Sequence, residues 1–336
     1  MRTLVIARHL QECEVTLLGS GLSSYSGLIP QDYGQVHLPL DVPSKRDAYY
    51  QPVTPRGLHY APMNISGQRR RVNMMTNFFS ESHPILLVVD VSVEVAMLAT
   101  LCGIPHIVIK QHGIRTDQAH LNAYCNAVGL IAPYPEKMKD ADPKWVIAKT
   151  FFAGGISRFG AAAPASTVDQ NQIAVLIGNG GSSLSAAVVT SMASACPGMH
   201  FHVIGSVLGE ENFSNITYHG QLDNPAAIIN RCGLVVGNAG NNTVMEIAAL
   251  NKPFIVVPEI RPFQEQLVKA RMLEQQGLAL ILYPEELLAA DWAACFSLAF
   301  DLKPDWSGVV DKEAPANAAA YILERYRKHF CSLGIF

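Results

Sequence analysis

Residues 237–250, Gly-Asn-Ala-Gly-Asn-Asn-Thr-Val-Met-Glu-Ile-Ala-Ala-Leu, combine the residue types needed to hold an anion beside a diol. They follow an apolar run, Leu234-Val235-Val236, that predicts a buried strand, and they lead into a segment with helical periodicity. A glycine turn between strand and helix directs backbone N–H groups and the positive end of the helix dipole to one point. That point suits a phosphate. Glu246 lies six residues after Gly240, within the first two turns of the predicted helix. A carboxylate there can accept hydrogen bonds from a sugar diol, so the stretch predicts a nucleotide-sugar site.

Two more strand-end segments carry related chemistry. After a predicted strand at Ile173–Ile177 comes Gly178-Asn179-Gly180-Gly181-Ser182-Ser183. Its glycines let backbone approach an anion closely, and its serines suit a helix N-cap. No lysine follows, so it is not a Walker A loop, and a plain turn is the alternative reading. After a predicted strand at Phe254–Val257 comes Pro258-Glu259-Ile260-Arg261-Pro262-Phe263-Gln264-Glu265-Gln266. Polar residues there are placed to face a cleft, although Glu265 equally suits the dipole of a helix N-terminus. Two anion-suited turns in one domain are harder to explain by structure alone than one.

For the proton transfer that such chemistry needs, the cleft candidates are Asp90, His112, Asp117 and His120, with Asp90 and His112 foremost. Asp90 ends an apolar strand, and His112 sits beside Gly113 in a post-strand loop. The plain alternatives are a helix-capping role for Asp90 and a solvated loop position for His112. His9 reads as a helix-end residue. The basic run Gln68-Arg69-Arg70-Arg71 reads first as a solvated helix face, with an acidic acceptor or anionic membrane surface as the second reading.

The elements that must position these residues alternate throughout. In the first half, strands are predicted at Glu14–Leu18, Gln35–Leu40, Ile85–Asp90, His106–Lys110 and Gly129–Ala132. Helices are predicted there at Thr3–Leu10, Gln68–Phe79, Ser92–Cys102 and Asp117–Asn126. In the second half, strands are predicted at Ile173–Ile177, His200–Ile204, Ile216–Tyr218, Leu234–Gly237, Phe254–Val257 and Leu278–Leu282. Its helices are predicted at Leu184–Cys196, Pro225–Asn230, Asn241–Leu250, Gln264–Gln276 and Ala314–Tyr326. Such alternation implies parallel sheets covered by helices. The Gly-, Ala-, Ser- and Pro-rich segment Phe152–Asp169 reads as a linker. The fold class is therefore α/β, two Rossmann-like doubly wound domains facing a cleft. The expected division is residues 1–155, residues 170–312, and a C-terminal helix in residues 313–336. A long loop around Leu40–Ala61, with Pro39, Pro43, Pro52, Pro55, Pro62 and Tyr49-Tyr50, is a functional candidate by its length. A doubly wound domain is expected to open on a strand and a glycine turn. Here helix Thr3–Leu10 follows Met1 at once, so the first strand is expected to be missing through truncation or an internal start.

Composition narrows the partners. Hydrophobic residues make up 49% and charged residues 16% of 336, enough for two sizeable cores. The net charge of −3 gives no electrostatic case for nucleic acid. The seven cysteines are dispersed without metal-type spacing and read as reduced, mostly buried thiols of a cytoplasmic protein. The apolar region Ile85–Ile109 is broken by Asp90, Glu94, Pro105 and His106, so it reads as strand, helix and strand rather than a membrane span. The residues after Met1 are too polar for a signal peptide. Peripheral membrane contact, on the inner face, stays open.

With these residues in view, the second half resembles the donor domain of GT-B glycosyltransferases of the family 28 C-terminal type. The group includes the bacterial N-acetylglucosaminyltransferase that makes the lipid-linked peptidoglycan precursor. The resemblance covers Ile173–Leu282 well and rests on Gly240-x-x-Thr243-x-x-Glu246, Ala248-Ala249, Pro253 and Gly180-Gly181-Ser182. It continues more weakly over Ile85–Ala132, through Gly103-Ile104-Pro105 and Gln111-His112-Gly113. It implies that Glu246 binds the ribose of a UDP-sugar and that Thr243, with the backbone of Gly240, Asn241 and Asn242, holds the diphosphate. Leu222 would lie at the uracil, and Gln264, Glu265 and Gln266 at the donor sugar. Ala239 stands where relatives carry serine, and the histidine base of relatives would fall before Met1. The implied activity is metal-independent, inverting transfer of a sugar to a small-molecule or lipid-linked acceptor, with no cofactor beyond the nucleotide-sugar. The residues also leave open a sugar-nucleotide hydrolase or epimerase, and a non-catalytic nucleotide-sugar-binding subunit.

Overall fold

The structure, a computed structural model, describes residues 2–159, 167–178 and 180–331. The middle of the expected linker and Asn179 of the first glycine turn lie outside the described residues. In the first half, helix α1 (Arg2–Ala7) precedes a parallel pair, β1 (Thr16–Gly19) and β2 (Gly34–His37), followed by helix α2 (Ser66–Glu81). A second, four-stranded sheet runs β3 (Leu87–Asp90), β4 (His106–Ile109), β5 (Gly129–Ala132), β6 (Thr150–Phe152), with neighbours in chain order and all parallel. Helices α3 (Val93–Leu101), α4 (Gln118–Asn126) and α5 (Lys144–Lys149) complete this half.

The second half holds six parallel strands: β7 (Asp169–Leu176), β8 (His200–Ile204), β9 (Ile216–Gly220), β10 (Cys232–Asn238), β11 (Phe254–Val257) and β12 (Leu280–Ile281). Their order across the sheet is β12-β11-β10-β7-β8-β9. Chain direction across the sheet reverses between β7 and β10, and ligands of open α/β sheets sit beyond the carboxyl ends of strands at such a point. The two glycine turns leave the sheet from these two strands. The helices are α6 (Ala186–Ala195), α7 (Ala226–Arg231), α8 (Asn241–Ala249), α9 (Glu265–Gln275), α10 (Trp292–Asp301) and α11 (Ala314–Phe330).

Apolar strands explain why these sheets need cover on both faces. Every residue of β4, β5, β10 and β11 is buried. On one face of the six-stranded sheet, Phe201, Val203, Leu234 and Val236 pack with Val188, Val189 and Met192 of α6 and Trp292 and Phe296 of α10. On the other face, Val235, Phe254 and Val256 pack with Val244 and Ile247 of α8 and Leu273 of α9. In the first half, Ala119 and Ala123 of α4 lie with Val108 and Leu130 on one face of the sheet. On its opposite face, Ala318, Tyr321 and Ile322 of α11 join Ile6 of α1 over Ile107, Ile109 and Ile131. The chain's last helix thus packs on its first half. Met75 and Phe79 of α2 are buried as their apolar spacing implies.

Three expectations differ. Helices α5 and α10 and strand β6 were not legible, because the first and last are short and α10 lies outside the strand–turn–helix rhythm. The cysteines are free, but only Cys196 and Cys232 are buried, while Cys13, Cys102, Cys125 and Cys331 are exposed. Their helix-end and loop positions decide this, not their apolar character. The helix expected from Gln264 begins as a 3-10 turn, Pro262–Gln264, with Phe263 at φ 58° and Gln264 at φ 54°. Left-handed backbone at two successive non-glycine residues is costly and marks a segment held by its surroundings.

What holds it is a contact between the halves. The Ile114 amide donates to the Phe263 carbonyl at 2.8 Å. Gly113, at φ 121°, permits the approach, since a Cβ there would lie 2.7 Å from the Phe263 oxygen. Gly113→Ala is expected to lower unfolding free energy by about 1–3 kcal/mol, through left-handed strain and the loss of this contact. Denaturant unfolding checks it, and an unchanged midpoint would mean that the halves do not depend on this approach.

Candidate functional site

Helix α8 begins at Gly240 without a side-chain cap. The N–H of Gly240 is already taken, donating to Asn238 Oδ1 at 2.8 Å, and the Thr243 hydroxyl donates to the same oxygen at 3.2 Å. The amides that open the helix at Asn241, Asn242 and Thr243 lack intrahelical acceptors and point out from the sheet's reversal point. An anion there would meet them and the helix dipole together. Asn238 was not anticipated as a site residue. It is 7% exposed and presses on Gly178, where a Cβ would fall 2.6 Å from its amide nitrogen.

The three strand-end segments are tied to one another. Gln266 Oε1 accepts from the amides of Ala239 at 3.2 Å and Glu259 at 3.0 Å. The Glu259 carboxylate accepts from the Ser183 amide at 2.6 Å, the Ser183 hydroxyl at 2.7 Å and the Ser182 hydroxyl at 3.1 Å. Arg261 Nη2 donates to the carbonyls of Gly180 at 2.7 Å and Gly181 at 2.9 Å. The Ser183 amide and the Ser182 and Ser183 hydroxyls therefore already hold an internal anion, whereas the opening amides of α8 do not. Gln266 is buried between the turns rather than standing free in the cleft. Gln264 is exposed, Glu265 half-buried. Leu222 is half-buried against the core of this half.

Glu246 sits where the sequence places it, one turn beyond the free amides, with its side chain 12% exposed. Arg158 from the linker region holds it, Nε to Oε1 at 2.8 Å and Nη2 to Oε2 at 3.4 Å. Arg158 Nη1 also donates to the Asp223 carbonyl at 2.8 Å, beside Leu222. Burial raises the Glu246 carboxyl above its ordinary range, and Arg158 opposes the rise.

The other half contributes the far wall. A cavity of about 370 Å³ lies between the halves, lined by Asp90, Gln111, Arg115 and His120 on one side and Arg261, Phe263 and Glu265 on the other. Arg115 organises the wall. It donates to Gln111 Oε1 at 3.0 Å, lies 3.0 Å from His120 Nε2, pairs with Glu265 at 3.3 Å and covers the Phe263 ring at 4.9 Å. His120 Nδ1 meets Asp117 at 2.7 Å, so both of its ring nitrogens are engaged. Asp90 lines the cavity but is paired with Arg2, and Thr3 Oγ1 donates to it at 2.7 Å. The following Val91 has φ 79°, which is strained for a β-branched residue.

The structure does not bring His112 to the cavity. It is fully buried, edge-on to Tyr134 with ring centroids 3.9 Å apart. Burial, with Lys269, Lys110 and Arg115 nearby, holds its basicity well below the ordinary range. The burial comes from folding α9 over the post-strand loop, which local sequence does not announce. Next to it, Lys110 pairs with Asp142. Asp140 and Asp142 form an Asp-x-Asp pair, but lysine stands against it, and among the described residues no acidic, histidine or cysteine cluster is arranged to hold a metal ion. Lys269 is buried and donates to Asn241 Oδ1 at 3.2 Å. Burial brings its ammonium down to about 8.

Residues 197–292 match the glycosyltransferase family 28 C-terminal domain. Over 253 residues the chain is 24% identical to the UDP-N-acetylglucosamine–N-acetylmuramyl-(pentapeptide) pyrophosphoryl-undecaprenol N-acetylglucosamine transferase of Geobacillus thermodenitrificans, covering 69% of each chain. Among solved structures, the glycotransferase of kitacinnamycin is similar at a TM-score of 0.68 and 15% identity, over 96% of this chain and 95% of that one. MurG of Acinetobacter baumannii is similar at a TM-score of 0.59 and 15% identity over the same shares.

Burial raises the Asp140 carboxyl to about 6, with Asp142 adding to the rise and Lys110 opposing it. The unfolded value is about 3.9. The native state thus binds this proton more tightly, and stability declines as pH rises from about 4 to about 6. Asp140→Asn is expected to exceed the wild type in unfolding free energy by about 3 kcal/mol at most at pH 7.5 and to match it at pH 4. Urea unfolding at the two pH values measures this, and a pH-independent difference would remove the cause.

Residues 197–292 are thus a domain of the glycosyltransferase family 28 C-terminal type, set in a chain that shares the fold of solved glycosyltransferases along nearly its whole length.

Proposed function

We propose that the chain transfers a sugar from a nucleotide-sugar, most simply a UDP-sugar, to a hydroxyl acceptor, with inversion and without a metal. The observation that carries this is the uncapped start of α8 at the sheet's reversal point, with Glu246 one turn further on. The diphosphate takes the amides of Asn241, Asn242 and Thr243. The ribose diol takes the Glu246 oxygens that Arg158 now holds, and the base lies by Leu222 and Asp223. Preorganised amides aimed at the leaving diphosphate stabilise the charge that grows as the sugar departs. The cavity between the halves receives the acceptor. The relative in Geobacillus is named for a donor of this class and a lipid-linked acceptor.

An amphipathic acceptor also fits the rim. The loop that leads to the cavity exposes Leu40, Val42, Tyr49, Val53 and Met63, with Lys45, Arg46 and Arg56 among them. Among the described residues, no helix is long and apolar enough to cross a membrane. We place the protein on the cytoplasmic face of a membrane through this loop, a reducing side that suits seven free cysteines.

Calorimetry with UDP tests the donor reading. Binding is expected with and without EDTA, and Glu246→Ala should weaken it by about 1–3 kcal/mol. No UDP binding by the folded protein sinks the proposal, and an unchanged affinity in the variant removes Glu246 from the site. For the membrane reading, co-sedimentation with anionic vesicles should fall when Tyr49 and Val53 are both changed to Ser. Equal sedimentation of the double variant would exclude the loop.

A further inference from the structure

We propose that His59 is the general base that takes the proton from the acceptor hydroxyl, an assignment that rests on the transferase reading above. His59 lies in the Pro-rich loop before α2 and lines the cavity between the halves. The loop is pinned there at three places. Asp47 accepts from the amides of Ser44 and Ser66, each at 2.8 Å. Gln51 and Met63 form an antiparallel bridge. The Glu94 carboxylate accepts from the amides of His59 and Tyr60, each at 2.7 Å. The last contact fixes the backbone of His59 and leaves its ring nitrogens to the cavity.

The ring reaches across to the donor half. Its centroid is 4.7 Å from that of Phe263, the left-handed residue just before Gln264 and Glu265. The imidazole therefore stands beside the segment that faces the donor sugar. Four other proton acceptors on the cavity wall are already engaged. Asp90 is held by Arg2 and Thr3, Glu265 by Arg115, Glu94 by two backbone amides, and His120 by Asp117 and Arg115. No hydrogen bond from a described residue reaches the ring nitrogens of His59. Asp41, also on the wall, pairs with no cation among the described residues and lies on the acceptor half.

The step balances without a further reactant. A neutral ring nitrogen of His59 takes the hydroxyl proton as the acceptor oxygen bonds to the anomeric carbon. The bond from that carbon to the diphosphate oxygen breaks, and its electron pair leaves on the diphosphate, against the amides of α8. A group so placed contributes about 10²–10⁴-fold.

The test uses UDP-N-acetylglucosamine with water as the acceptor, reading UDP release, beside calorimetry with UDP. If the wild type fails to bind UDP, the transferase reading falls, independently of His59. Given binding, His59→Ala should keep UDP affinity within about twofold and lose UDP release by about 100-fold or more. Added imidazole should restore part of the rate, which a merely structural role would not allow. Release at the wild-type rate in His59→Ala, or a loss that imidazole leaves untouched, overturns the assignment. If water proves too poor an acceptor for turnover, the imidazole NMR signal lost in His59→Ala decides. It must shift when UDP-N-acetylglucosamine saturates the wild type, and an unmoved signal also overturns the assignment.

Discussion

One buried amide oxygen, Gln266 Oε1, sets the geometry of this protein's cleft. Accepting from Ala239 and Glu259, it joins the ends of two neighbouring strands to the start of α9. Each amide would otherwise be a buried donor without a partner, a loss of about 1–3 kcal/mol apiece. Glu259, fixed at its own backbone, then reaches past β10 to the serines after β7. Three turns that could have moved separately are thereby one rigid rim. The opening amides of α8 stand apart from these ties.

The second half's rim is in turn the platform for the first. Phe263 follows directly from this tied segment, and its left-handed backbone presents a carbonyl to Ile114 and a ring to Arg115 and His59. The cavity between the halves is thus bounded by groups whose positions trace back to the same glutamine. Because α11 returns to pack on the first sheet, the halves are also joined at the chain's end.

Much of this architecture can be read from residue pattern. Apolar runs located the strands of the second half to within a few residues, because strands covered on both faces must be apolar throughout. Glycine and asparagine located the turns, since few other residues accept that backbone. The ties between turns were not legible. Glu259 and Ser183 are 76 residues apart, and only the strand order β7-β10-β11 makes them neighbours. Both Glu259 and Arg261 stood in the third segment, but their partners could not be named without that order. Arg158 was hidden in a segment whose composition speaks only of a linker. His112 shows the opposite error, since a loop beside glycine suggests solvent while the packing of α9 makes it core.

The pairing of Arg158 with Glu246 has a consequence for discrimination. The carboxylate already has two contacts from Arg158, so on the proposed donor reading a ligand enters by exchange rather than addition. A ligand that brings a diol replaces the two contacts it displaces. A ligand that brings a phosphate but no diol either leaves the arginine in place or strands a half-buried carboxylate. On the proposed donor reading, the ion pair would act as an internal competitor that penalises incomplete ligands, a form of selectivity set by the protein's own contacts.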